Sequence, residues 1–145
     1  MRLVLVAIWS LMLFWGVMSP PVMALALKPG NSATLDLTLP LPPEEVAALT
    51  QEAFQAWGRG ELHKTRLADE ANGQHWIVKG LSRTKTFKFV DDIEVDISAV
   101  PGDPQQSRVH LVSVGRQGEF DFGGNRRNLN ELVDTINTLR ITEAP

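Results

Sequence analysis

The chain has 145 residues, with 14 basic and 17 acidic side chains, a formal net charge of −3 and no cysteine. Without thiols there can be no disulfides, thiol catalysis, thiolate metal sites or lipid-modified N-terminal cysteine. The mild acidity argues against a nucleic-acid or anionic-membrane binder, which needs a basic excess.

Met1-Arg2 opens the chain, and Leu3 to Met18 follows with Ser10 as its one polar residue. Ser19-Pro20-Pro21 closes this run ahead of Val22-Met23-Ala24-Leu25-Ala26. A basic start, an apolar stretch and small residues in A-x-A spacing make a secretory signal, with Ala24 and Ala26 both usable as cleavage points. The alternative is an uncleaved N-terminal anchor. A spanning helix needs about 20 apolar residues. Leu3–Met18 holds 16, and extension to Ala26 would put two adjacent prolines inside the helix. Taking residues 1–26 as signal leaves 119 residues, 27–145, the size of one domain. Arg2 is the only charge removed, so the mature domain carries a net charge of −4.

Thr34–Leu39 alternates strictly, with Leu35, Leu37 and Leu39 on one face, and predicts a half-buried strand. Pro40-Leu41-Pro42-Pro43 stops it and presets a helix start. Glu44 and Glu45 then suit the positive end of the helix dipole. Val46, Leu49, Ala53, Phe54 and Trp57 predict an amphipathic helix over 43–57, ended by Gly58 and Gly60. Glu61–Leu67 reads as a weak strand, Gly73 as a turn, and His75–Val78 as a clear strand. Thr84–Ile97 reads as one long strand, with Phe87, Phe89, Ile93, Val95 and Ile97 in a single phase. Pro101–Pro104 is a turn and Arg108–Val114 the returning strand. Leu129, Leu132, Val133, Ile136 and Leu139 mark a closing helix from about Asn125 to Leu139. Asn128 and Glu131 have capping-box spacing and could start that helix three residues later.

The expected class is α+β: an antiparallel sheet of about four to five strands covered by two helices, in β-α-β4-α order. By analogy this is the helix-grip or TATA-binding-protein-like arrangement, a statement about fold and not function.

Two segments stand out. One is Phe87-Lys88-Phe89-Val90-Asp91-Asp92-Ile93-Glu94-Val95; the other runs from Ser113 through Gly115, Arg116, Gly118, Asp121, Gly123, Gly124 and Asn125 to Arg126-Arg127. Together they resemble the family called domain of unknown function 1499. Its members combine an aromatic-rich strand ending in paired aspartates with a Ser-x-Ser-Arg-x-Gly-x-x-Asp-x-Gly-x-Asn-Arg stretch before a last helix. Ser113, Arg116, Gly118, Asp121, Gly123, Asn125 and Arg126 match, Gly115 replaces the second serine, and the Pro-Asn-Cys-Val-Ser-Ser stretch of many members has no equivalent. The resemblance implies a small exported or membrane-linked domain and no particular activity.

The candidate binding or structural motif is therefore Asp91, Asp92, Ser113, Arg116, Gly118, Asp121, Gly123, Asn125, Arg126 and Arg127. Alternation places Asp91 in phase with the apolar residues, so either the strand bends or bulges at Asp91-Asp92 or a cation, Arg116 or Arg126, meets the carboxylate. The adjacent Asp92 would face the other side, which fits poorly with a paired acid and base. His63, His75 and His110 sit on separate strands without ligand spacing, so no metal site is expected. Ser113 lies in no nucleophile elbow, and the glycines lack nucleotide-binding spacing. No catalytic residue and no cofactor are assigned. Asn125 is placed as helix cap. Arg126 and Arg127, next to a positive helix end, need a negative partner. Asp121, Asp92, Glu119 or an anionic ligand would serve.

These features favour a non-catalytic ligand-binding or accessory protein in an extracytoplasmic compartment (periplasm, thylakoid lumen or secreted). Its partner would be a small molecule or an envelope protein and not nucleic acid, with membrane contact only if the N-terminal segment is retained. The alternatives are a hydrolase-like enzyme using Asp91, Arg116 and Asp121, or a purely structural envelope or lumen protein.

Overall fold

Alternation decides the first element. In β1 (Ser32–Leu39), Ala33, Leu35, Leu37 and Leu39 turn toward the core, while Asp36 and Thr38 stay in solvent. A computed structural model describes residues 25–68 and 75–143, so the proposed signal or anchor, apart from its last two residues, and the turn at Gly73 lie outside the described residues. After β1 come α1 (Pro43–Ala56), β2 (Gly60–Leu67), β3 (His75–Arg83), β4 (Val90–Val100), β5 (Asp103–Gly115) and α2 (Gly124–Glu143). The class is the expected α+β, in the expected order.

The strands form one antiparallel sheet, β1-β5-β4-β3-β2. Helix α1 carries the chain from β1 at one edge to β2 at the other. Edge strand β2 is rich in charge (Glu61, His63, Lys64, Arg66) and has a register shift between Leu62 and Lys64, features that discourage pairing with another chain.

Both helices lie on one sheet face. Val46, Ala53, Phe54 and Trp57 of α1 and Leu129, Leu132 and Ile136 of α2 meet Val78, Ile93, Val95, Ile97, Val109 and Leu111. Each large aliphatic or aromatic side chain removed from water there contributes roughly 1.5–3 kcal/mol. On the open face, Ile77, Leu81, Val112 and Val114 are also buried. They interleave with charged residues: Arg116 pairs with Asp92, His75 with Asp96 and His110 with Asp36. Lys79 Nζ lies 2.7 Å from Glu94 Oε2, an ion contact too poorly aligned for a directed hydrogen bond.

Three expectations need correction. The long strand begins at Val90, not Thr84: residues 84–89 form the β3–β4 turn. Lys88 takes a positive φ of 56°, which breaks the extended run and removes Phe87 and Phe89 from the inward phase. Strand β5 starts at Asp103, so the turn before it shrinks to Pro101-Gly102. Helix α2 begins at Gly124, so Asn128 does not start it.

Candidate functional site

The motif residues gather at one end of the sheet, where β3 turns into β4, β5 leaves for α2 and the chain enters β1. Arg83 pairs with Val90, Asp91 with Gly115 and Val114 with Ser32. Residues 25–31, 84–89 and 116–123 are thus neighbours, together with the last turn of α1 and the first of α2.

Their centre is Asn31, a buried residue that sequence reasoning missed. Its Nδ2 donates to the carbonyls of Gln117 and Gly118, both at 2.8 Å. Its Oδ1 accepts from Asn125 Nδ2 at 3.1 Å, and Asn125 Oδ1 accepts from Ser113 Oγ at 2.6 Å. Asn31, Ser113 and Asn125 are all buried, so the chain of bonds is shielded from water, and a polar group left unpaired there would be costly. A Cβ on Gly115 would overlap Asn31 Oδ1, so the position has no room for a side chain while Asn31 keeps its place. Gly118 and Gly123 take φ of +79° and +85°, conformations that favour glycine.

Asn125 is not the helix cap. Asp121 does that work: its carboxylate accepts from the N–H of Asn125 at 2.6 Å and of Gly123 at 3.1 Å. Burial opposes its ionisation, but those N–H donors outweigh burial and hold the Asp121 carboxyl below the usual range. The negative charge wanted at this helix end is therefore the chain's own. Arg126 and Arg127 stay exposed, and neither makes an ion pair with a described residue.

The two aspartates separate as alternation requires. Asp92 faces the open side and receives two bonds from Arg116, at 2.7 and 2.8 Å. Asp91 turns toward the helices, half-buried, and its partner is Asn128, whose Nδ2 donates to Oδ2 at 2.7 Å. The expected arginine partner is absent: Arg116 lies across the sheet and Arg126 points to solvent. Burial pushes the Asp91 carboxyl above the ordinary range. The Asn128 bond and Arg59 pull it back, while Asp121 and Asp92 push it up.

Beyond Asn128 runs a second network. Arg59 donates to Asn128 Oδ1 at 3.1 Å and to Glu131 Oε2 at 2.5 Å. Trp57 Nε1 also donates to that oxygen, and the guanidinium lies 5.1 Å from the Trp57 ring centre. Burial disfavours the Glu131 carboxylate, but the Arg59 and Trp57 donors prevail and lower its pKa. The histidines pair with different carboxylates, His63 with Glu61, His75 with Asp96 and His110 with Asp36. Among the described residues no group of three acidic or histidine side chains is placed to hold a metal ion.

Fold and site define a small helix-covered β-sheet domain whose distinctive residues bind one another. The chain belongs to the DUF1499 family, proteins of unknown function, whose family model matches residues 20–136. No curated protein matches it in sequence. Solved structures similar in fold share little sequence. Protein CV1439 from Chromobacterium violaceum has 12% identity and a TM-score of 0.46, covering 75% of this chain and 96% of that one. An uncharacterised Rhizobium leguminosarum protein has 14% identity and a TM-score of 0.45, covering 77% and 96%. A START superfamily protein from Mycobacterium smegmatis has 11% identity and a TM-score of 0.39, covering 74% and 94%.

Proposed function

We propose that this is a non-catalytic binding or accessory domain that works outside the cytoplasm and whose working surface is the loop end of the sheet. The supporting observation is how the three residues of the hydrolase alternative are engaged. Arg116 is held by Asp92 on the open face, Asp121 by two backbone N–H groups, and Asp91 by Asn128 on the helix side. A raised carboxyl such as Asp91 has one attribute of a general acid. Its hydrogen-bond partner is an amide, and Asp121, the acid the hydrolase alternative would set beside it, is itself tied to backbone N–H groups. The export reading rests on the N-terminal apolar run, and N-terminal sequencing of the exported protein tests it, with a start at Leu25 or Leu27 expected and a start at Met1 contradicting cleavage. For the non-catalytic reading, the full chain is incubated with chromogenic esters, phosphoesters and glycosides. Hydrolysis no faster than in buffer is the expected result. Turnover abolished by Asp91→Asn or Asp121→Asn would overturn it.

A further inference from the structure

Six large hydrophobic side chains are exposed among the described residues, and five of them share the loop end: Phe122 (94%), Phe87 (73%), Phe120 (68%), Leu27 (58%) and Phe89 (48%). The sixth, Ile141, sits on the last turn of α2. Phe87 and Phe89 stack with ring centres 5.5 Å apart, so the turn presents them as one apolar unit. The loops do not need these rings to hold their shape. Backbone and Thr84 bonds close the 84–89 turn, and Asn31 and Asp121 fix 116–123. Clustered exposed aromatics of this kind mark an interaction surface.

Cations surround them. Lys85 and Lys88 share the turn with the stacked phenylalanines, and Arg126 and Arg127 follow Phe122 on α2; all four are exposed. Most carboxylates nearby are engaged within the fold: Asp92 with Arg116, Glu61 with Arg83 and Asp121 with backbone N–H groups, which leaves Glu119 as the exposed acid of the loop. Exposed acids at the opposite end include Glu44 and Glu45, in the first turn of α1. A net charge taken over the whole chain averages over this segregation and hides it.

The pairing of exposed rings with exposed cations selects the partner, and the path of the chain agrees with it. Residues 25–31 enter β1 at this end and are pinned there: Lys28 Nζ donates to Gly115 O at 2.9 Å, and Asp121 N donates to Gly30 O at 3.1 Å. Six residues lie between Met18, the last residue of the apolar run, and Leu25, a span of at most about 25 Å, so until cleavage that run leaves the domain at the same end as the phenylalanines. We propose that the loop end docks on a lipid surface, with Phe87, Phe89, Phe120 and Phe122 entering the headgroup boundary and Lys85, Lys88, Arg126 and Arg127 meeting anionic headgroups. Aromatic rings flanked by lysine and arginine suit that boundary. The contact is interfacial: no helix among the described residues is long and apolar enough to cross a membrane. The proposal rests on the reading of the loop end as the working surface and adds its partner.

The absence of cysteine allows a direct test. An environment-sensitive fluorophore is attached through Phe122→Cys, Phe87→Cys or, at the far end, Gln105→Cys. The exported chain, beginning at Leu25 or Leu27 and so without the apolar run, is then added to phosphatidylcholine vesicles with and without phosphatidylglycerol. Expected are a blue shift at 122 and 87 and loss of emission to a nitroxide-labelled lipid, with neither at 105. The shift should weaken without phosphatidylglycerol and in Lys88→Glu/Arg126→Glu. Position 87 reads out the same surface should Phe122→Cys fold poorly. Labels at 122 and 87 that stay in water in both vesicle types overturn the proposal. A blue shift before vesicles are added also overturns lipid docking, but leaves a binding role for the loop end standing.

Discussion

At one end of the sheet, β4 passes into β5 through Pro101-Gly102, with Gly102 at a φ of +78° and the Asp103 carboxylate accepting from Gln105 N and Gln106 Nε2. This junction is built from neighbours in sequence. At the other end, Asn31 reaches residues 86 and 87 positions away, Ser113 meets Asn125, and Asp91 meets Asn128. Turn chemistry suffices where two strands only have to be joined. Three loops and two helix ends that must keep a fixed relation need long-range polar bonds between buried groups. The motif residues lie at this second end, and Ser113, Asp121 and Asn125 among them make bonds that tie the loops together.

Breaking the scaffold should therefore cost far more than changing its surface. Gly115→Ala would push Asn31 off its carbonyls and leave Asn125 without its partner, with an expected loss of about 3 kcal/mol by chemical denaturation. Asp121→Ala removes the cap and should cost about 1–2 kcal/mol. Because the folded Asp121 carboxyl is depressed, its contribution is present above the unfolded carboxyl pKa of about 3.9 and lost as pH falls through the lower folded value. Asp121→Asn should flatten that acid-side loss in a pH series.

Asp91 should behave in the opposite way. Its folded pKa is raised, so its contribution is full below the unfolded value and is lost as pH rises through the folded one. Asp91→Asn should thus raise the melting temperature at pH 7, with the gain vanishing near pH 3. An Asp91→Asn protein less stable than wild type at pH 7 would show that the Asn128 bond needs a carboxylate. Arg116→Gln is expected to be mildest: its ion pair with Asp92 is solvent-exposed, worth about 0.5 kcal/mol, and should fade in high salt. A loss there as large as in Gly115→Ala would erase the distinction between scaffold and surface.

Periodicity showed most of the fold. The inward residues of β1, α1 and α2 repeat at 2 or near 3.6, and local repetition survives in the folded core. It misled at Phe87 and Phe89, which continue the β4 phase on paper but lie beyond the positive φ of Lys88; nothing in a lysine announces that conformation. The site was half legible. Asp91 and Asp92 facing opposite ways follows from alternation alone. Asn31 gave no sign, since an asparagine after Pro29-Gly30 reads as an ordinary turn and its partners are more than 80 residues away. Asn125 stands at a helix start and so reads as a cap, whereas its side chain turns to Asn31 and Ser113 and its own N–H is bonded by Asp121, four residues earlier.

Hydrogen exchange at the Asn31 side-chain amide tests the scaffold most directly. Its Nδ2 protons should exchange as slowly as the core amides of β4, opening only when the domain unfolds, because both are held by loop carbonyls in a buried site. Exchange at the rate of the exposed Asn130 amide would mean that the loops are not locked together and that the motif serves some other purpose.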